Sequence, residues 1–439
     1  MKMCLKLALI IPSAFMAVAI GQTPGVSHPT TVASTTLTLS QAEQLALKNN
    51  PRIAVSRLLA LAEGEVTRQT RSAELPTIIG DLTAVDSHSN SRITAGSLNN
   101  PIVYQRAAGG ITINQLITDF GRTRNLVASS ELRAKAQASA QAATEADVIL
   151  AVDQAFYRAL GSQAVLKVAQ QTVAERTTIS DQVNALTGAK LKSTLDLSFA
   201  NVNLAQAKLL LVDAQNNTQE AMAALNALLG QEQPMTYTLV DETPQAPPPP
   251  PDAAEPLIAQ AFQTRPDLRV LTQGLEAAKK FSSAEHDLFR PTISALGTAG
   301  GTPVRADQIA SPWYGAIGAN VSIPIFNGFL YSARAKEADY RAGAAKSQVD
   351  ELRQAIARDV NVTVLQSQAN FQRIAVTQQL LDEANLAFDL AQTRYKIGLS
   401  SIVELSQAQL AQTEAQIDCA TARYSYQGSL AMLRFQTGQ

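Results

Sequence analysis

The sequence predicts a mainly α-helical chain with a smaller share of membrane β-structure, and three observations carry that prediction. The chain reads as two copies of one plan, each copy holds very long helical stretches with heptad periodicity, and each holds two segments alternating at period two.

The duplication is legible at two offsets. The run ending Asn49-Asn50-Pro51-Arg52-Ile53 parallels the run ending Thr264-Arg265-Pro266-Asp267-Leu268, an offset of 215 from Pro51 to Pro266. Leu75-Pro76-Thr77-Ile78 falls on Arg290-Pro291-Thr292-Ile293 at the same offset. Further along the offset is 208: Ile117-Thr118-Asp119 falls on Ile325-Phe326-Asn327, Ser193-Thr194-Leu195-Asp196-Leu197 on Ser401-Ile402-Val403-Glu404-Leu405, and Gly230-Gln231 on Gly438-Gln439. The copies run over residues 40–231 and 256–439, each with short helices, a β-hairpin (about 77–117 and about 292–326) and a long helical hairpin. Residues 232–255 between them form a Pro-rich linker with five consecutive prolines at 247–251, stiff and donor-poor, which suits a surface connection. A docking site for a Pro-binding module is the sharper alternative.

Residues 122–186 and 334–397 contain no proline, and the first stretch would span roughly 100 Å as helix. The helix after it carries a heptad: Leu197, Ala200, Leu204, Ala207, Leu211, Ala214, Thr218, Ala221, Leu225 and Leu228. Copy two repeats the frame from Leu405 through Gln412, Ala415, Ala422 and Tyr426 to Leu433, and the preceding helix shows Ile374, Leu381, Ala384, Phe388, Ala391 and Tyr395. Large residues alternating with small ones let knobs enter shallow holes, as in closely packed antiparallel coiled coils.

The strands separate a membrane protein from a coiled-coil spacer. Trp313, Gly315, Ile317, Ala319, Val321, Ile323 and Ile325 alternate with small or polar residues, so Trp313, Ile317, Val321 and Ile323 form a candidate lipid-facing set. Trp313 and Tyr314 are both candidates for the membrane interface. In copy one, Ala107, Gly109, Ile111 and Ile113 alternate in the same way, and each copy has an upstream partner strand entered after a proline. Four strands cannot close a channel-sized barrel, and an open edge cannot survive in lipid, so the barrel must be shared between chains.

The chain opens with Lys2 and Lys6, an apolar run over residues 7–20, and Ala17-Val18-Ala19. Residues 1–21 read as a signal peptide and 22–39 as an N-terminal tail, with an uncleaved anchor as the alternative. Cys4 precedes the apolar run, which leaves Cys419 alone in the mature chain and no intrachain disulfide. Thirty-six basic against 37 acidic residues argue against nucleic acid as a partner. His28, His88 and His286 have no metal-ligand spacing, and no Ser, Cys or His shows a nucleophile arrangement, so neither cofactor nor catalysis is expected.

Several local patterns, in this order and spacing, resemble the TolC-type outer membrane efflux channels over essentially the whole mature chain. They are Leu39-Ser40-Gln41-Ala42 through Asn49-Asn50-Pro51, Gln115-Leu116-Ile117-Thr118-Asp119-Phe120-Gly121-Arg122, Ile323-Pro324-Ile325-Phe326-Asn327-Gly328, and Thr393-Arg394-Tyr395-Lys396-Ile397-Gly398 with Ser401 and Leu405. The resemblance implies a homotrimer with duplicated coiled-coil helices in an α-barrel, capped by a shared 12-stranded transmembrane barrel built from four strands per chain. It implies an exit duct in the outer membrane that extends into the periplasm, serving a tripartite efflux or type I secretion system. Its tip (Arg394, Tyr395, Gly398 and Ser401 here) would meet an adaptor protein and, through it, an inner-membrane pump. The family often carries two acidic residues three apart after this turn, where this chain has Glu404 and Gln407. Asp196 is the repeat equivalent of Glu404, so the two are candidates for a carboxylate ring at the periplasmic entrance, or simply for favourable charges at helix N-termini. A periplasmic coiled-coil adaptor or structural protein is the alternative function, and it would need no lipid-facing strands.

Overall fold

The computed structural model describes residues 35–86, 88, 106–231, 235, 237–242, 247–304 and 310–439. The expected signal peptide, most of the expected N-terminal tail and much of both inter-strand loops lie outside the described residues.

Strand β1 (Thr35–Leu37) leads into α1 (Leu39–Asn49), which Thr38 starts in a reciprocal capping box with Gln41. Asn50 ends α1 and starts α2 (Pro51–Arg71), its side chain accepting from the Arg52 amide at 2.9 Å, with Pro51 at a position that needs no amide donor. Strands β2 (Thr77–Val85) and β3 (Arg106–Thr118) precede α3 (Arg122–Gly188) and α4 (Thr194–Leu228). After β4 (Tyr237–Leu239) the order recurs as α5 (Glu255–Thr264), α6 (Pro266–His286), β5 (Thr292–Val304), β6 (Trp313–Ser322), α7 (Leu330–Lys396) and α8 (Ile402–Thr437). Each copy thus has a 67-residue helix followed by one of 35 or 36 residues.

Each long helix runs beside a shorter antiparallel partner, α3 with α4 and α7 with α8, and α3 also packs against α6, α2 and α8. The alanines of the heptad frame fill the first seam, with Ala200, Ala207, Ala214 and Ala221 all buried. In the second pair Ala415 and Ala422 repeat two of these alanines, and Leu405, Gln412 and Tyr426 are buried along the same frame.

Both copies pack one core at mid-height. In copy one Ala46, Ile53, Val148, Val152, Phe156 and Leu225 cluster, and in copy two Ala261, Leu268, Ile356, Val360, Val364 and Leu433 do so. These are the same positions at offsets of 215 and 208. The beginning and end of each copy meet there too. Asn50 Nδ2 donates to the Leu228 carbonyl at 2.9 Å, and its counterpart Arg265 donates through Nη1 to the Gln436 carbonyl at 3.4 Å. Gly230 (φ 71°) and Gly438 (φ 70°) end the two helical hairpins in left-handed geometry. A Cβ on Gly230 would lie 2.6 Å from the Asn49 carbonyl oxygen and one on Gly438 2.8 Å from Thr264 Oγ1, so glycine is required for both φ and space.

The connection between the copies is bound more closely than a surface linker. Its β4 pairs in parallel with β1, burying Leu37, Tyr237 and Leu239 in the first core. Tyr424 donates to Asp241 at 2.8 Å, Tyr426 to the Pro248 carbonyl at 2.5 Å, and Gln368 to the Pro251 carbonyl at 2.9 Å. These contacts pin the linker across α7 and α8.

The four long strands form one antiparallel sheet in the order β2-β3-β5-β6. Alternation alone extends the last strand through Ile325, but β6 ends at Ser322, before Pro324, which has no N–H for a ladder. Beyond each hairpin the chain turns into its long helix through two left-handed residues, Phe120-Gly121 in copy one and Gly328-Phe329 in copy two. Asp119 stabilises the first turn by accepting from the Thr123 amide at 2.7 Å.

The alanine seam sets the spacing of the hairpins. Ala207→Leu should overpack it and lower the stability of the purified protein by about 1–3 kcal/mol, read from the denaturant midpoint. Tolerance of leucine at this position would show that the seam does not set the spacing.

Candidate functional site: the open sheet and the helical tip

Strand register turns alternation into two faces. Ile78 pairs with Ile113, which sits opposite Gly297, which sits opposite Ile317. One step along, Leu82 pairs with Gly109, then Gly301, then Trp313. Directly paired residues point to the same side, so Ile78, Leu82, Ile111, Ile113, Trp313, Ile317 and Val321 share one apolar face. Leu82 is 93% and Ile317 92% exposed in the single chain. Ile323, just past the strand end, is exposed as well. The opposite face carries Thr77, Thr83, Thr112, Asn114, Thr298 and Asn320, with Asp81 among them. Tyr314 belongs to this polar face, not beside Trp313, because the pleat sends neighbours to opposite sides. It lies across Gly110 and Gly300, and a Cβ on Gly300 would fall 2.5 Å from its Cζ. The outer edges of β2 and β6 have no partner strand among the described residues.

At the far end of the long helices, two turns join α3 to α4 and α7 to α8. Both use one left-handed residue, Gly398 (φ 77°) in copy two and Lys190 (φ 62°) at the equivalent place in copy one. Ser193 and Ser401 cap the following helices, accepting from the Asp196 and Glu404 amides at 3.1 and 3.3 Å. The two carboxylates then diverge. Asp196 completes a capping box, accepting from the Ser193 amide at 3.1 Å and hydroxyl at 3.0 Å. Glu404 lies 3.6 Å from Arg394 Nη1. Within the chain Asp196 is thus engaged at the start of its own helix and Glu404 lies beside a cation, and both keep their place beside the turns at the tip.

Gln407 is exposed one turn above Glu404, and Arg394, Gly398 and Ser401 are exposed at the tip. Tyr395 is not. It is 5% exposed and packs with Ile179, Val183, Phe388, Ile402 and Leu405, so it holds the tip together and offers no docking surface. Burial pushes its hydroxyl above the ordinary tyrosine range, and nearby Asp196 acts in the same direction. Lys192 sits 4.0 Å above its ring.

The profile of the family described as outer membrane efflux protein matches residues 42–231 and 257–439, the two halves of the duplication. The chain belongs to the outer membrane efflux protein family. Among similar proteins are Outer membrane protein TolC of Salmonella enteritidis (23% identical over 407 residues, 89% of this chain and 80% of that one) and Outer membrane efflux protein BepC of Brucella suis (25% over 413 residues, 88% and 84%). Its fold matches the outer-membrane channel OprN with a TM-score of 0.80 at 19% identity, covering 91% of this chain and 89% of that one. It also matches the open state of the MtrE channel of Neisseria gonorrhoeae at 0.77 and 18%, covering 94% and 93%. This efflux protein therefore resides in the outer membrane, and its apolar sheet face is the surface suited to lipid.

Two sets of polar residues in this efflux protein escaped sequence reasoning. Near the tip Arg176, buried on α3, donates to the Gln409 carbonyl at 2.9 Å and to Thr413 Oγ1 at 3.1 Å, while Asn203 on α4 bonds Ser406 at 2.8 Å and Gln409 at 2.9 Å. These bonds tie one hairpin to the other across more than 200 residues, and nothing local marks them. In the first mid-height core Asp153 is 4% exposed, with Arg434 at 3.5 Å. Burial, reinforced by Glu43, pushes its carboxyl up to about 7, with Arg434 opposing. An Asp with hydrophobic residues at Val148, Val152 and Phe156 on the same helical stripe was the available signal.

Two outcomes follow from this geometry. Ser193→Ala removes a capping side chain and should cost about 1 kcal/mol of stability, measured by denaturant titration. Asp153 has a raised pKa in the fold, so its protonated form is the one the fold favours; that contribution is complete below the ordinary value of 3.8 and is lost as pH rises through about 7. Asp153→Asn should therefore gain stability relative to wild type on going from pH 4 to pH 8, seen as diverging melting temperatures. Parallel curves across that range would show that Asp153 is ionised throughout.

Proposed function

We propose that three copies of this chain form a single passive exit duct, with a shared 12-stranded barrel in the outer membrane and a helical barrel in the periplasm. Its tip would face an adaptor protein and, through it, an inner-membrane pump, and it would perform no catalysis. The observation that carries this reading is the open four-stranded sheet. It has one apolar face and one polar face, yet both edges expose unpaired N–H and C=O groups that lipid cannot satisfy. Closure by further copies removes the edges and leaves the polar face lining a wet lumen.

A second observation supports assembly along the helices. Leu195, Val202 and Leu209 recur at heptad spacing on α4 and are exposed in the single chain, as are Val376, Leu380 and Leu390 on α7. Such stripes suit knobs-into-holes contacts with a neighbouring copy. The names of relatives, among them the Toluene efflux pump outer membrane protein TtgI of Pseudomonas putida, fit a place in an efflux pump. A largely apolar sheet face weighs against a periplasmic coiled-coil spacer.

Detergent-solubilised protein should have a protein mass near three times that of the mature chain by light scattering; a monodisperse monomer that conducts in planar bilayers would refute the shared barrel. The two faces can be tested at adjacent positions. Ile317→Arg should destabilise membrane insertion by about 2–4 kcal/mol near the bilayer midplane, whereas Ala316→Arg, on the lumen side, should insert and assemble. Equal loss in both variants, read from the yield of heat-modifiable oligomer, would contradict the assignment of faces.

A further inference from the structure

The tip is the place where the two copies share a backbone and differ in charge. Between residues 186 and 196 and between 392 and 404 stand four cations, Lys190, Lys192, Arg394 and Lys396, against two carboxylates, Asp196 and Glu404. Asp196 is engaged with the Ser193 amide and hydroxyl, and Glu404 is paired with Arg394. The three lysines have no carboxylate within ion-pair distance among the described residues. Lys396 Nζ donates to the neutral Gln392 side chain at 3.2 Å, Lys192 Nζ reaches the Tyr395 carbonyl at 3.4 Å above its ring, and Lys190 is exposed on the left-handed residue of the turn. The next carboxylates, Asp181 and Asp389, stand more than one helical turn behind the apex on α3 and α7.

We infer that Lys190, Lys192 and Lys396 form a cationic rim that makes the periplasmic entrance favour anionic over cationic solutes. This rests on the conduit reading above, since only a closed ring of tips has an entrance. Rotational repetition would place three such lysines from every copy around one narrow opening, where like charges add and low-dielectric walls focus their field. The position where the family often has its second acidic residue is neutral Gln407, so it does not offset the rim. The turn of copy one contributes most of this character, because Lys190 occupies the place that glycine takes in copy two. The preferred cargo is accordingly small anionic molecules, or molecules with an anionic leading end. The preference should weaken as salt rises, because exposed charges are screened over about 10 Å at 0.1 M.

The test is the reversal potential of the purified full chain in planar bilayers under a KCl gradient. Wild type should pass Cl⁻ in preference to K⁺. Lys190→Gln/Lys396→Gln should move the reversal potential toward that of a K⁺-preferring pore, whereas Lys190→Arg/Lys396→Arg should keep the wild-type value. Glutamine retains a Cβ at residue 190, so the backbone cost of the left-handed turn is unchanged. Lys346→Gln, which removes one cation about 75 Å up α7, should leave selectivity unaltered. A conducting wild-type pore that prefers K⁺, or one whose preference ignores the double glutamine change, overturns the cationic rim and leaves the conduit standing. Absence of any conductance overturns the conduit reading, and the rim falls with it.

Discussion

The packing at mid-height is the interaction on which the rest of the structure depends. A 67-residue helix is stabilised chiefly by what packs along its length, and here a smaller cluster at the tip supplements the cores at mid-height. At mid-height each copy gathers the end of its first short helix, the middle of its long helix and the end of its last helix into one apolar cluster. From that point the long helix runs one way to the sheet and the other way to the tip. The left-handed glycines at 230 and 438 let the chain leave this cluster without a clash, and the β1–β4 pair binds the linker onto it. Holding both long helices at their centres is what gives the two distant ends a defined relation to each other.

Duplication supplies the frame and divergence supplies the chemistry. The equivalent cores differ mainly in volume, as with Phe156 in one and Val364 in the other. At the junction where Asn50 bonds the Leu228 carbonyl, Arg265 reaches the Gln436 carbonyl instead and also pairs with Asp267 at 2.6 Å. At the tip, serine caps are retained in both copies because each helix needs its first amides satisfied. The charges on the turns are free of that constraint and have diverged.

The membrane end follows a different logic. Its sheet is stabilised by backbone pairing, and among the described residues none of the three apolar cores includes a residue of its four strands. Tyr314 lying on Gly110 and Gly300 joins three strands. In the shared barrel proposed above, lipid on one side and neighbouring strands at the edges would stabilise this sheet, which would couple insertion to assembly.

The sequence by itself determined the duplication, the long helices, the heptad seams and the alternation of the strands, because each depends on periodicity within a short window. The charges at two helix starts were equally legible, since Asp196 and Glu404 each stand in the first turn of a helix. Tertiary structure decided which charges are free. What Asp196 and Glu404 meet within the chain depends on the geometry of a turn and on Arg394, ten residues before Glu404. Tyr395 fits a seam and a docking tip equally well on spacing, and only packing made it core. The Asp153–Arg434 pair, the bonds from Arg176 to Gln409 and Thr413, and the linker contacts of Tyr424, Tyr426 and Gln368 each join residues more than 100 apart, and no local pattern encodes such a pairing. Local order follows from the period of the side chains; the state of a buried charge follows from which distant chain segment reaches it.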